Sequence, residues 1–256
     1  MSHPLWYHVL DLPDGPTPGW FDLRPIVDRL PWPDVRGRRC LDVGTYDGFL
    51  AFELERRGAS EVVATDIPDH ASWDWPWALR EDGPAFQAVQ AGERKGAGFE
   101  AARAALGSAA RRVEVSVYDL DPAVHGTFDV VVCGSLLLHL KDPVRALEAI
   151  RGVCTGHFVS AETIDLPSSA VRRPYARVRG DELCQWFLPN VAAHERLVRA
   201  AGFELERSGR PYAIPFGPAH PPRGRRPREL ARRVLTRAVC GNDGVAHHAL
   251  LARPLG

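Results

Sequence analysis

Short β-rich apolar runs that alternate with helix-patterned segments predict an α/β fold, a seven-stranded, mostly parallel sheet with helices on both faces. Two further observations support it. The run Val130-Val131-Val132-Cys133 is apolar without alternation, as a strand covered on both faces requires. A chain of 256 residues with 45% hydrophobic and 25% charged content is long enough for one large core and ordinary for a soluble protein.

The candidate strands are residues 39–43, 61–66, 113–117, 128–133 and 157–161, with two more at 203–208 and 246–252. Helical signals fall between them. Residues 49–57 end at Gly58, and the alanine-rich stretch 99–106 ends at Gly107. Asp142-Pro143 supplies a cap and a first-turn proline ahead of Val144, Leu147 and Ile150, which recur at helical spacing. A last helix, 191–201, is closed by Gly202. This order predicts one domain over residues 1–256. It carries an amino-terminal extension (1–36), an inserted lid rich in tryptophan and glycine (68–98) and an arginine- and proline-rich segment (209–237) that reads as an exposed loop over 209–228.

Formal charge is zero, yet residues 207–237 hold nine arginines against one acid, Glu229. Such a block can attract phosphate or stand as a solvated surface segment. No apolar run nears the roughly 18–20 residues that span a bilayer, and the start Met1-Ser2-His3-Pro4 has no secretion pattern, so a cytoplasmic protein without membrane partners is expected. The five cysteines lack metal-ligand spacing and read as reduced, mostly buried thiols. His247 and His248 alternate on a strand and cannot share one metal, and no metal site is expected.

The chemistry concentrates at predicted strand ends, where open α/β sheets bind ligands. Asp42-Val43-Gly44-Thr45-Tyr46-Asp47-Gly48 joins a strand to a helix through two glycines, which lets backbone approach a nucleotide-like ligand. The spacing is not G-x-G-x-x-G, so a pyrophosphate is not indicated, and the acid Asp42 tolerates a cationic ligand. Asp66, with Ile67 beside it, ends the second strand and can accept from both ribose hydroxyls. Asp119 follows the third strand and can accept from an adenine amino group, with Leu120 against the ring. The fourth strand ends in Cys133-Gly134-Ser135 and leads to Leu136-Leu137-Leu138-His139-Leu140-Lys141-Asp142-Pro143.

These four elements in order resemble the class I S-adenosylmethionine (SAM)-dependent methyltransferases, which have a Rossmann-like fold. The resemblance implies SAM as cofactor, held by Asp42, Gly44, Thr45, Gly48, Asp66, Ile67, Asp119, Leu120 and Gly134. A narrower likeness rests on Trp6-Tyr7-His8, Thr17-Pro18-Gly19 with Phe21-Asp22, the Trp73 to Trp77 stretch, Trp186-Phe187-Leu188-Pro189-Asn190 and Ala201-Gly202-Phe203. Over residues 6–205 the chain is similar to the bacterial tRNA wobble-uridine methyl- and carboxymethyltransferase family. Those enzymes hold a carboxylated SAM analogue with basic residues. Here no lysine precedes Lys95, so ordinary SAM is expected.

Methyl transfer from a sulfonium needs alignment first, and a base only for a nucleophile with a tightly held proton. His139, just past the fourth strand, is one candidate for that proton; packing or loop orientation is its alternative role. Glu162, at the end of the fifth strand, is the second candidate. Trp73, Trp75 and Trp77 can wall a flat substrate or simply pack a lid. A small-molecule acceptor suits the balanced charge, whereas an RNA acceptor suits the narrower likeness and the arginine block. A module that binds a nucleotide without catalysis is the third reading.

Overall fold

The computed structural model describes residues 6–79, 95–180, 184–220 and 226–256. The middle of the expected lid, 80–94, and part of the arginine segment, 221–225, therefore lie outside the described residues.

The central sheet takes the order β10-β12-β7-β6-β3-β4-β5. Its strands are β3 (Arg39–Val43), β4 (Glu61–Asp66), β5 (Arg111–Glu114), β6 (Phe128–Gly134), β7 (Cys154–Thr163), β10 (Phe203–Ser208) and β12 (Val245–Pro254). Neighbours from β5 to β7 pair in parallel, and β12 runs antiparallel to both β7 and β10. An eighth strand, β11 (Tyr212–Ile214), pairs with the start of β12. The expected exposed loop over 209–228 is corrected here. Tyr212, Ala213 and Ile214 are buried, because an apolar triplet between Pro211 and Pro215 covers the sheet edge. Two-stranded pairs stand apart from this sheet, β1 (Asp11–Leu12) with β2 (Gly15–Pro16) and β8 (Ala176–Val178) with β9 (Phe187–Pro189).

Alternation within buried strands sorts the core onto two faces. Cys40, Val62, Ala64, Val130, Val132 and Val159 join one cluster, with α1 (Phe49–Arg56), α2 (Ala97–Leu106) and the amino-terminal residues Leu23, Ile26 and Leu30. Leu41, Val43, Val63, Val131, Cys133 and Phe158 join the other, with Leu147 and Ile150 of α4 (Pro143–Val153) and Val198 of α5 (Val191–Ala200). Two faces of one strand thus bury apolar side chains, so the run at 130–133 has no polar partner positions. The amino-terminal extension completes the first face instead of extending from it.

Helix starts follow their caps. The Asp142 side chain accepts from the Arg145 N–H at 3.0 Å, with Pro143 in the first turn, and Asn190 accepts from Ala193 at 2.8 Å. Two further helices among the described residues are the four-residue α3 (Pro122–His125) and the fourteen-residue α6 (Pro227–Cys240), which begins in the arginine segment. No helix among the described residues is long and apolar enough to cross a membrane.

Two buried positions set the backbone on which the site rests. Gly48, the N-cap of α1, has φ +95°, and a Cβ there would lie 2.5 Å from the Phe52 ring and 2.8 Å from Phe99. Packing, not ligand approach, requires this glycine. Glu162 of β7 accepts from the Leu137 N–H at 3.1 Å and from Leu136 at 3.4 Å, which pins the turn after β6. Burial pushes its carboxyl up to about 8, against these two N–H donors, which favour the charged form.

Gly48→Ala is expected to cost about 2–4 kcal/mol, the left-handed backbone and the overpacking together, read as a lower denaturation midpoint. For Glu162 the folded state keeps a proton that the unfolded chain loses above about 4.5. Its contribution is therefore full below that value and is lost as pH rises toward 8. Glu162→Gln should flatten the decline in stability between pH 5 and 8, measured by urea unfolding at several pH values; an unchanged slope rejects the assignment.

Candidate functional site

The carboxyl ends of β3, β4 and β6 open into a cavity of about 660 Å³. Its floor is the turn between β3 and α1. Gly44, with φ +76°, and Thr45 both donate backbone N–H groups to the Thr65 carbonyl, at 2.8 and 3.0 Å, and so tie the turn to β4. Asp42 is buried beneath it, where Oδ2 accepts from the Thr45 hydroxyl at 2.7 Å. Loss of solvent raises this carboxyl to about 7.

Tyr46 stands next in the turn with φ +51°, a backbone that costs a non-glycine residue about 1–3 kcal/mol. Asp66 holds it there. One carboxylate oxygen accepts the Tyr46 N–H at 3.0 Å, the other accepts from Ile67 at 2.9 Å, and Lys95 Nζ lies 2.9 Å away. The Lys95 ammonium also sits 4.4 Å over the Tyr46 ring. Asp47 faces the opposite way and accepts from the backbone N–H groups of Tyr7 and His8, at 2.9 and 2.8 Å, and contacts His8 Nδ1. Through this carboxylate the amino-terminal segment closes over the turn.

Of the residues expected around a nucleotide, Asp42, Gly44, Thr45, Asp66, Ile67 and Gly134 line the cavity. Gly48 lies behind the turn, against Phe52. Asp119 and Leu120 are corrections. β5 ends at Glu114, and the Ser116 hydroxyl accepts the Tyr118 N–H and bends the chain into a short helical turn. That turn leaves Asp119 exposed and sends Leu120 into the second core cluster. Val115, Ser116, Val117 and Tyr118 occupy the wall in their place.

The wall beyond β6 carries His139, whose Nδ1 is 3.1 Å from the Cys184 carbonyl and whose ring stacks on Trp73 with centroids 6.4 Å apart. Glu162 is not part of the wall, since its carboxylate is spent on the turn below. The three tryptophans divide. Trp73 and Trp75 line the cavity and pack on each other at 5.5 Å, and Trp75 Nε1 donates to the His70 carbonyl at 2.8 Å. Trp77 is 83% exposed and outside the cavity.

A second half of the cavity has no counterpart among the expected residues. Tyr7, His8, Trp20, Phe21, Leu23 and Ile26 come from the amino-terminal extension, and Tyr212, Ile214 and His220 come from the supposed loop. These segments join across the cavity: the Asp22 N–H donates to Pro215 O at 2.9 Å, and the Gly217 N–H donates to Trp20 O at 2.7 Å. The aromatic cluster Trp6-Tyr7-His8 and the apolar triplet at 212–214 are the sequence signals that mark this half. At its base, His247 Nε2 lies 2.8 Å from the Ser135 hydroxyl and 2.9 Å from that of Thr163. Among the described residues, no group of three or more His, Cys, Asp or Glu side chains is arranged to hold a metal ion.

A methyltransferase-domain family model matches residues 22–208. The tRNA U34 carboxymethyltransferase of Pseudomonas syringae pv. tomato is 29% identical over 176 residues, 66% of this chain and 46% of that protein. The chain thus spans about half the length of the curated relatives it matches. Among solved structures, an S-adenosylmethionine-dependent methyltransferase from Mesorhizobium loti superposes with a TM-score of 0.52 at 17% identity, covering 87% of this chain and 93% of that one. The 1,6-didemethyltoxoflavin-N1-methyltransferase of Burkholderia thailandensis, with 1,6-didemethyltoxoflavin and S-adenosylhomocysteine bound, gives 0.50 at 18% identity, covering 86% and 72%. At such identities the structural likeness is one of fold. The match to more than half the chain and the sheet that carries it establish that this protein belongs to the methyltransferase-domain family, with the Rossmann-like fold of class I SAM-dependent methyltransferases.

Proposed function

We propose that the protein transfers the methyl group of SAM to a small molecule held in the aromatic half of the cavity. The observation that carries this reading is the enclosure of that half between the amino-terminal segment and β11–β12, on aromatic walls. The other half suits an adenosyl sulfonium. Gly44 keeps the floor bare, Asp42 and Asp66 supply carboxylates, and Lys95, the only lysine or arginine lining the cavity among the described residues, is paired with Asp66. Bound there, SAM supplies a methyl group on a positively charged sulfur, which is open to attack by a nucleophile.

The chain's own residues then bind and orient. Asp66 would accept from ribose hydroxyls while one of its oxygens stays paired with Lys95. Ile67, Val115 and Val117, which line the cavity, would flank the purine. Trp73, Trp75 and His139 would meet the acceptor from the wall opposite the amino-terminal segment, and the apolar walls would exclude water.

A tRNA acceptor is the second reading, and two observations favour it. Residues 171–180 are all exposed and carry Arg172, Arg173, Arg177 and Arg179 with Tyr175 and no acid. They adjoin the cavity, for β8 pairs with β9, and the Trp186 N–H before β9 donates to Leu138 O at 2.7 Å. The likeness to the tRNA U34 carboxymethyltransferases points the same way. Cell extract incubated with methyl-labelled SAM separates the readings: label is expected in the metabolite fraction, and label in RNA with steeply salt-dependent binding selects the second.

Asp66→Asn should weaken binding of S-adenosylhomocysteine by about tenfold or more, the scale of a charge-assisted hydrogen bond. Asp119→Asn should leave it unchanged. Calorimetry that found both variants alike would reject the assignment of the ribose acid. His139→Ala is expected to slow label transfer while affinity for S-adenosylhomocysteine stays within about twofold, a margin below 0.5 kcal/mol.

A further inference from the structure

We propose that Ser135, Thr163 and His247 form a proton relay for a flat, uncharged ring bearing an O–H or N–H group, with His247 Nε2 as the final proton acceptor. The methyltransferase reading supplies only the reaction that this relay would serve.

Topology brings the three groups together. Thr163 and His247 are cross-strand partners of β7 and β12, and Ser135 follows β6 with its N–H on the Ala161 carbonyl of β7 at 2.9 Å. All three line the cavity. Ser135 has φ +53°, a left-handed backbone that a side chain rarely adopts, and its hydroxyl meets the imidazole from there.

The hydrogen bonds assign the tautomer. His247 Nδ1 lies 2.8 Å from the Val245 carbonyl, which can only accept, so Nδ1 carries the proton. Nε2 then offers a single lone pair, and two hydroxyls converge on it. One proton can be received there. The other hydroxyl has a proton to direct elsewhere, and both oxygens keep lone pairs for an incoming donor. Burial pushes the imidazole down to about 4, so the lone pair is present at neutral pH.

The surroundings select the ligand. Tyr212, the cross-strand partner of His247 on β11, lies with its ring centroid 5.9 Å from the imidazole, and Tyr7, Phe21 and Trp20 complete the aromatic walls. Among the described residues, the acids and the lysine that line the cavity, Asp42, Asp66, Asp74 and Lys95, come from β3, β4 and the segment between β4 and β5. Beside His247, Glu162 turns its carboxylate to the backbone of Leu136 and Leu137. Among the described residues, a charged ligand would meet no counterion next to the relay. In the proton step the ligand's O–H or N–H bond breaks and an N–H bond forms at Nε2. Transfer runs through a Ser135 or Thr163 hydroxyl that takes the ligand's proton and hands on its own, and it leaves a ring anion beside an imidazolium.

The probe is 2-naphthol, a flat neutral ring whose hydroxyl becomes much more acidic on excitation, so naphtholate emission reports a proton acceptor in contact with it. With the protein saturated with S-adenosylhomocysteine, naphthol anisotropy should rise saturably, and the bound probe should emit as naphtholate. His247→Phe should cut that emission several-fold. The double variant Ser135→Ala/Thr163→Val, which removes both relay hydroxyls, should cut it as well. 2-Methoxynaphthalene, which lacks the proton, should bind at least tenfold more weakly. Absence of saturable binding, or naphtholate emission that survives His247→Phe or the double variant, overturns the proposal. Should His247→Phe not fold, ¹⁵N NMR of the wild-type ring decides, since an Nε2 resonance unmoved by naphthol is equally fatal. Calorimetry with S-adenosylhomocysteine alone runs in parallel. Its failure removes the methyltransferase reading, and the naphthol experiment repeated without that ligand still tests the relay.

Discussion

The turn between β3 and α1 is held by two buried carboxylates that accept backbone N–H groups, and the rest of the site hangs from it. Asp66 takes Tyr46 and Ile67 from one side, and Asp47 takes Tyr7 and His8 from the other. Because a carboxylate out of water is costly unless its lone pairs are filled, each of these acids can rest only where the N–H groups converge. The first grip joins the turn to β4 and thereby shapes the adenosyl half of the cavity. The second draws the amino-terminal segment across and creates the aromatic half. Lys95 belongs to the same balance, as a buried ammonium whose charge Asp66 offsets.

Glycine plays two different roles in that turn. At Gly44 the positive φ bends the chain at the cavity floor, and an added Cβ would meet only the flexible tip of Leu136 at 3.1 Å. At Gly48 the constraint is the stacked pair Phe52 and Phe99, whose rings lie 5.3 Å apart beneath it. A ligand-binding motif read from spacing thus includes a residue conditioned by the core. The pattern survives because the helix can follow the strand so closely only when the corner has no side chain.

Histidines gather where the sheet ends, and their environments separate them. His8 is held by the buried Asp47 carboxylate, His139 stacks on Trp73, and His247 is bound to a carbonyl and two hydroxyls. A further pair, His194 and His248, shares a buried contact of 2.9 Å between Nδ1 atoms, with Ser160 and Ser208 at its ends. That chain lies away from the cavity walls, and burial lowers both imidazoles, so it reads as a satisfied polar connection inside the sheet. One residue type at neighbouring positions, His247 and His248, therefore serves opposite faces of β12.

Local rules decided what was legible in the sequence. The parallel strands, the helix cap at Asp142, and the positions of Asp42, Asp66 and Gly134 follow from periodicity, punctuation and strand ends, each a property of a few adjacent residues. The tertiary structure alone decided the remainder. Asp119 and Leu120 lie off the cavity because β5 ends at Glu114, three residues before the expected strand end at 117, and Ser116 then turns the chain. Glu162 became a brace because the N–H groups that fill its lone pairs come from a loop 25 residues away. Trp77 faces outward although Trp73 and Trp75, at the same spacing, face inward. The aromatic half of the cavity joins residues 7 and 21 to residues 212 and 247, and no rule of local spacing connects positions so far apart. Such contacts arise only when the core closes and buried polar groups must find partners wherever the chain brings them.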